Sequence, residues 1–192
     1  MTASTPERVL SIVVCGAGPA IEIATFAKLA IARGWSVQVI ATPAALPFFD
    51  QGAIEALTGR PVRIQYSAPG APRSRVPDAI VVAPATYNTI NKWALGISDT
   101  YALGVLAEQT GLGIPIVVLP FVNSALASRT PFKQSVKSLR AEGVSILLGP
   151  GAIEPHEPHT GGSLIDSYPW HLALDEVDGM VGTADEEDDS DA

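Results

Sequence analysis

"RVLSIVVCGAGPAIEIATFAKLAIARGWSVQVIAT", residues 8–42, carries two short apolar runs around a stretch of different period. Residues 8–16 are β-branched and apolar over strand length, which predicts a buried strand. In residues 19–34, Ile23, Phe26, Ala27, Ala30 and Ile31 fall on one face of a helix. Gly34 is suited to end that helix. Residues 35–42 predict a second strand. The unit is therefore strand, glycine turn, helix, strand.

The alternation continues outward. Asp50 is placed to cap a helix over 51–59, and "PVRIQYS" (61–67) predicts a third strand. "APGAPRSRVP" (68–77) has no periodicity and reads as a loop. "DAIVVAPA" (78–85) predicts the fourth strand, and its apolar run after Asp78 suggests burial on both faces. Residues 89–111 are helical with a break near Gly96, and 114–121 predict a fifth strand. Residues 128–143 form a helix with Pro131 in its first turn, where proline is tolerated, and 144–149 a sixth strand. This pattern predicts one α/β domain over 1–149: a doubly wound, mostly parallel six-stranded sheet of the Rossmann or flavodoxin-like kind. Residues 150–179 are rich in Pro and Gly, hold all three histidines, and read as a C-terminal loop with a docking segment at "YPWHLAL" (168–174).

The chain has 192 residues, is 47% hydrophobic and carries a formal charge of −8. Nine of its 20 acids lie in 175–192, which has no Lys or Arg; removing those nine charges leaves the body at +1. The end of the chain, 180–192, is therefore expected to be an acidic, disordered tail. No basic stripe points to nucleic acid. No apolar run reaches the roughly 18 residues of a membrane span, and "MTASTPER" lacks the basic start and apolar core of a secretory signal, so the expected location is the cytoplasm. The lone Cys15 excludes an intramolecular disulfide and reads as a small buried hydrophobe.

Ligands of such sheets bind at the carboxyl ends of the strands, which here selects four places. "CGAGPA" (15–20) is a glycine turn whose Gly16, Ala17 and Gly18 suit a phosphate at a helix start. Ile21 stands where a dinucleotide fingerprint would have its third Gly or Ala, and no acid closes the second strand; a mononucleotide fits better. Thr42 ends the second strand beside that turn. Pro84, Ala85, Thr86, Asn88 and Thr89 follow the fourth strand, with more polar groups than one helix cap requires. Asn123 follows the fifth strand, where an amide can donate to a carboxylate or accept from an amine. His156 and His159, interleaved with Glu154 and Glu157, have the ligand types for zinc, but the prolines between them oppose one helical face and no metal site is expected.

These motifs resemble the homo-oligomeric flavin-containing cysteine decarboxylases, a family that includes phosphopantothenoylcysteine decarboxylase and enzymes acting on C-terminal cysteines of lantibiotic-type peptides. The likeness runs from about Val9 to Gly149: the glycine turn with Thr42 and Phe48 behind it, "APATYNTINKWALGISD" ending at Asp99, and "LPFVNSALASRTPFKQSVKSLRAEGV" around Asn123. It implies FMN, with its phosphate on Gly16–Gly18 and Thr42, its ring against Pro84–Thr86, and Asn88 and Thr89 near a subunit boundary. It also implies homotrimers, in some members assembled into dodecamers. The implied reaction is flavin-dependent oxidative decarboxylation of a cysteine-containing small molecule or peptide. The thiol is oxidised towards a thioaldehyde, after which carbon dioxide leaves. Asn123 would hold the carboxylate. The family's His falls at Gly70, and the motif methionines give way to Val122, Leu126 and Ala127. With no His before residue 156, the proton acceptor would be His156, His159 or His171, folded back from the C-terminal loop or a neighbouring subunit. The alternatives are an FMN flavoprotein with another redox or a flavin-storage role, and a nucleotide- or partner-binding module without flavin catalysis.

Overall fold

A computed structural model describes residues 8–66, 68, 70 and 75–188. Residues 1–7, part of the expected third strand and following loop (67, 69, 71–74) and the end of the expected tail (189–192) lie outside the described residues. Among the described residues there are five strands: β1 (Val9–Val14), β2 (Ser36–Ala41), β3 (Ala79–Ala85), β4 (Ile116–Pro120) and β5 (Ser145–Ile146). They run in the order β2-β1-β3-β4-β5, and every pairing is parallel. All residues of β1, β3 and β4 are buried, as expected of strands covered on both faces.

The expected third strand is corrected. Among its described residues only Arg63 pairs with β2: its N–H donates to the Val39 carbonyl, and its own carbonyl accepts from the Ala41 N–H. Pro61 has no N–H to extend the ladder, and Tyr66 is drawn away against Gly104. The sheet therefore has five strands rather than six.

The helices form two layers. On one side lie α1 (Ile23–Ala32), α2 (Gln51–Thr58) and α7 (Trp170–Asp188); on the other, α3 (Tyr87–Ala94), α4 (Tyr101–Gly111) and α6 (Thr130–Ala141), with the short α5 (Ser124–Ala127) leading into α6. Their ends are written locally. Asp50 accepts the Ala53 N–H at 3.1 Å to start α2, and Gly59 closes it at φ 67°. Thr86 and Thr100 cap α3 and α4, with the break between them turning at Gly96 (φ 70°).

α7 takes up the last third of the expected 150–179 loop and the described part of the expected tail. Ala173, Leu174, Val177 and Val181 form its buried stripe, and Trp170 stacks on Phe26 with ring centroids 4.9 Å apart. Two of its acids have partners: Arg33 pairs with Asp175 at 2.7 Å and with Asp178 at 3.0 Å, and the Trp35 indole N–H donates to Asp178. No described helix is long and apolar enough to cross a membrane.

A candidate cofactor crevice at the strand ends

In this strand order the connections leave β1 and β3 in opposite directions, which opens a crevice between their carboxyl ends. The loop after β1 is stitched to the end of β3, because the Cys15 N–H donates to the Pro84 carbonyl. Ala17 begins a 3-10 turn (Gly18–Glu22) with Pro19 in its first positions. A Cβ on Gly16 would lie 2.4 Å from the Ala44 carbonyl oxygen, so glycine is demanded by the turn that follows β2 (Pro43–Phe48). Over Gly18 sits the end of the Ile165 side chain, 3.1 Å from where a Cβ would be.

Thr42 stands at the N-terminus of the Pro43–Phe48 turn yet does not cap it. Its main chain is satisfied, the N–H by Val14 and the carbonyl by Ala45. Its hydroxyl is buried without a partner. Buried hydroxyls are normally paired, so this one sits where a ligand with hydrogen-bonding oxygens would complete it. Phe48, in the same turn, is half-buried against the core.

At β3, Thr86 accepts the Thr89 N–H at 3.3 Å, and the two hydroxyls lie 3.0 Å apart. Thr89 is buried and Asn88 exposed. Burial pushes the Cys15 thiol up, against hydrogen bonding from Thr89 and Thr86, which lowers it; the first and third strand ends therefore meet at this thiol. The Ala85 carbonyl accepts the Phe121 N–H at 2.8 Å, which ties in the fourth strand end.

At β4, Asn123 uses its side-chain oxygen to cap α5, accepting the Leu126 N–H at 2.9 Å. The C-terminal segment returns to this spot: His156 pairs with Asn123, and the Ser124 N–H donates to the His156 carbonyl at 2.7 Å. The imidazole lies over Phe121 at 4.7 Å between centroids. Gly161 fits beneath both rings, where a Cβ would be 2.9 Å from His156 Nε2. Tyr168, buried, donates to the Leu119 carbonyl at 2.5 Å, and burial holds its phenol well above the usual range.

Two candidates stand apart. Asp99 pairs with Lys92 at 2.5 Å in the exposed link between α3 and α4. His159 is exposed, at a left-handed φ of 69°. Among the described residues no three His, Cys, Asp or Glu side chains converge as a metal site. Phe121, Gly161, Ile165 and Tyr168 were not candidates from the sequence; the only hints were the Pro-Phe-Val step after the fifth strand and the aromatic "YPW".

The Flavoprotein family model matches residues 2–167. The chain belongs to that family. It is 28% identical over 138 residues to the coenzyme A biosynthesis bifunctional protein CoaBC of Thermococcus kodakarensis, a match covering 69% of this chain and 34% of the relative. This chain thus spans about a third of the length of the curated relatives it matches. Among solved structures, the FMN-dependent cysteine decarboxylase SpaF is 26% identical, with TM-score 0.63 and coverage of 88% of this chain and 98% of that one. The cypemycin decarboxylase CypD shares the fold at TM-score 0.69 and 22% identity, covering 93% and 96% of the two chains.

Proposed function

We propose that this flavoprotein binds FMN in the crevice and decarboxylates a cysteine-containing small molecule or peptide. The observation that carries the reaction is the pairing of Asn123 with His156 at the end of β4. It brings an imidazole to the crevice of a chain that has no histidine before residue 156. The partnerless Thr42 hydroxyl beside the Gly16 turn is the fit for the cofactor's phosphate, with Ala17 and Gly18 completing that wall. Pro84, Ala85 and Thr86 are the place for its ring, and Asn88, exposed beside Thr89, for a neighbouring subunit. Bound FMN would supply the two-electron oxidant that makes loss of carbon dioxide from the cysteine easy.

The residues of this chain do the positioning. With the Asn123 oxygen committed to the Leu126 N–H, the amide NH2 is the end that offers donors to a substrate carboxylate. His156, tilted against Phe121, accepts the thiol proton. A homotrimer, with a dodecamer as a higher assembly, and a cytoplasmic setting belong to this reading. Leu95 and Ile97, exposed in the α3–α4 link, are the apolar side chains such an assembly would cover.

A second reading, FMN-dependent redox chemistry or flavin storage without decarboxylation, is favoured by Gly70, Val122 and Leu126 in place of the residues decarboxylases carry there. The test is purification, a visible flavin spectrum with the released chromophore identified by mass, and mass spectrometry of cysteine-ending peptides and phosphopantothenoylcysteine for carbon dioxide loss. A yellow protein inert on both substrates supports the second reading; a colourless protein that takes up no FMN refutes both.

A further inference from the structure

The His156 imidazole is seated from two sides, by the end of β4 and by the chain just beyond His156 itself. On the β4 side its main chain is fixed, because it pairs with Asn123 and its carbonyl accepts the Ser124 N–H at 2.7 Å. The ring lies against Phe121 with centroids 4.7 Å apart, tilted by 34°. Phe121 is in turn braced by Tyr168, which meets it edge-on at 5.8 Å and is pinned through its hydroxyl to the Leu119 carbonyl.

The other side comes from a tight reversal of the chain. Glu157-Pro158-His159-Thr160 has the marks of a type II turn: proline second, His159 third at a left-handed φ of 69°, and the Thr160 N–H donating to the Glu157 carbonyl at 3.2 Å. The Thr160 hydroxyl donates to the same carbonyl at 2.8 Å, and Ser163 donates to the Thr160 carbonyl through both its N–H and its hydroxyl. The turn delivers the next residue, Gly161, back onto the His156 ring. A Cβ there would lie 2.9 Å from His156 Nε2 and 3.2 Å from two carbons of the Phe121 ring. Gly161 has no left-handed φ, so its backbone does not call for glycine; the missing side chain does. Its neighbour Gly162 also has no left-handed φ, but a Cβ on it would meet nothing within 4 Å.

We propose that Gly161 is a positioning residue for His156. Having no side chain, it lets the imidazole rest against Phe121 and keeps open the space in front of Nε2, where the substrate thiol approaches. This role rests on His156 being the proton acceptor. A side chain at 161 pushes the ring off Phe121, because residue 161 is held by a closed turn and Phe121 by Tyr168, while the imidazole can swing. Displacing a reacting group by about 1 Å can cost on the order of a hundredfold in rate.

The test compares G161A with G162A in the full-length, flavin-loaded protein, using a cysteine-ending peptide and phosphopantothenoylcysteine as substrates. G161A should lower kcat at least tenfold, with KM within threefold and flavin content unchanged, and G162A should leave kcat within twofold. Proton NMR of the three histidine rings gives a readout independent of turnover. G161A should move the His156 resonances and leave those of His159 and His171 in place, and G162A should move His156 less than half as far. A kcat that G161A leaves within twofold, an equal loss in G162A, or His156 resonances unmoved by G161A would overturn the proposal. If G161A does not fold, H156A/G161A should fold, since the imidazole is gone; if that variant fails as well, the clash lies at Phe121 and the proposal falls. If neither substrate is turned over and G161A alone moves the His156 resonances, the decarboxylase reading falls and the placement of the ring by Gly161 stands.

Discussion

Replacing Thr42 with valine is expected to move two measured quantities in opposite directions. The Thr42 hydroxyl is buried with no partner inside the protein. Leaving such a group unpaired costs about 1–3 kcal/mol. Valine keeps the branched shape and removes the group, so the cofactor-free protein should gain about 1–2 kcal/mol, seen as a melting temperature higher by roughly 2–6 °C for a chain of this size. If the same hydroxyl donates to a flavin phosphate, its loss removes a hydrogen bond to a charged group, worth about 1.5–3 kcal/mol. FMN affinity should then fall by about ten- to a hundredfold. The assay is thermal unfolding of the apoprotein together with FMN titration followed by flavin fluorescence quenching. A variant less stable than the parent, binding FMN equally well, refutes the reasoning: the hydroxyl would then be satisfied within the protein and irrelevant to the ligand.

Gly16→Ala should cost about 1–3 kcal/mol of urea stability, because its Cβ meets the rigid Ala44 main chain. Gly18→Ala should cost clearly less, because it meets only the movable end of Ile165; equal losses would contradict this account of the two glycines. The buried Cys15 thiol has its pKa raised by folding, so it stabilises the protein below the unfolded value of 9.0 and loses that contribution as pH rises through the folded value. Stability should therefore decline above about pH 9, by at most about 1.4 kcal/mol per pH unit from this group, and Cys15→Ala should flatten the slope in urea titrations between pH 8 and 10. His156→Gln should reduce decarboxylation by about 10²- to 10⁴-fold in single-turnover assays, while His159→Gln should change it less than about twofold. The reverse order would remove His156 from its proposed role.

Period and local chemistry carried much of the fold into view from the sequence alone. The unbroken apolar run at 79–85 is a strand covered on both faces, and Asp50 and Thr86 mark helix starts through bonds made within three residues. Residues 61–67 misled because Val62 and Ile64 alternate inward as strand residues do, yet a ladder also needs main-chain partners on the neighbouring strand, and among the described residues only Arg63 pairs with β2. α7 was hidden by composition: its acids suggest solvent, and only the structure brings Arg33 and Trp35 to meet them. In the crevice, the residues of the glycine turn and of the β3 end could be read from their place after a strand. Which of the three histidines returns to Asn123 could not, since a Pro- and Gly-rich stretch has no period and the contact spans more than thirty residues of chain. For the same reason Gly161 and Ile165 gave no local signal.

Because α7 lies against β3, β4 and α1, the newly made protein has an interval of exposure. Every strand is synthesised before Trp170, so Val81, Leu119 and Phe26 wait for the helix that covers them. At roughly 5–20 residues per second, the 19 residues of α7 take about one to four seconds to make. During that time one face of a twisted parallel sheet is open to chaperones, proteases and other nascent chains. A stop codon before Trp170 would make that state permanent, leaving every crevice residue present and the molecule prone to aggregate.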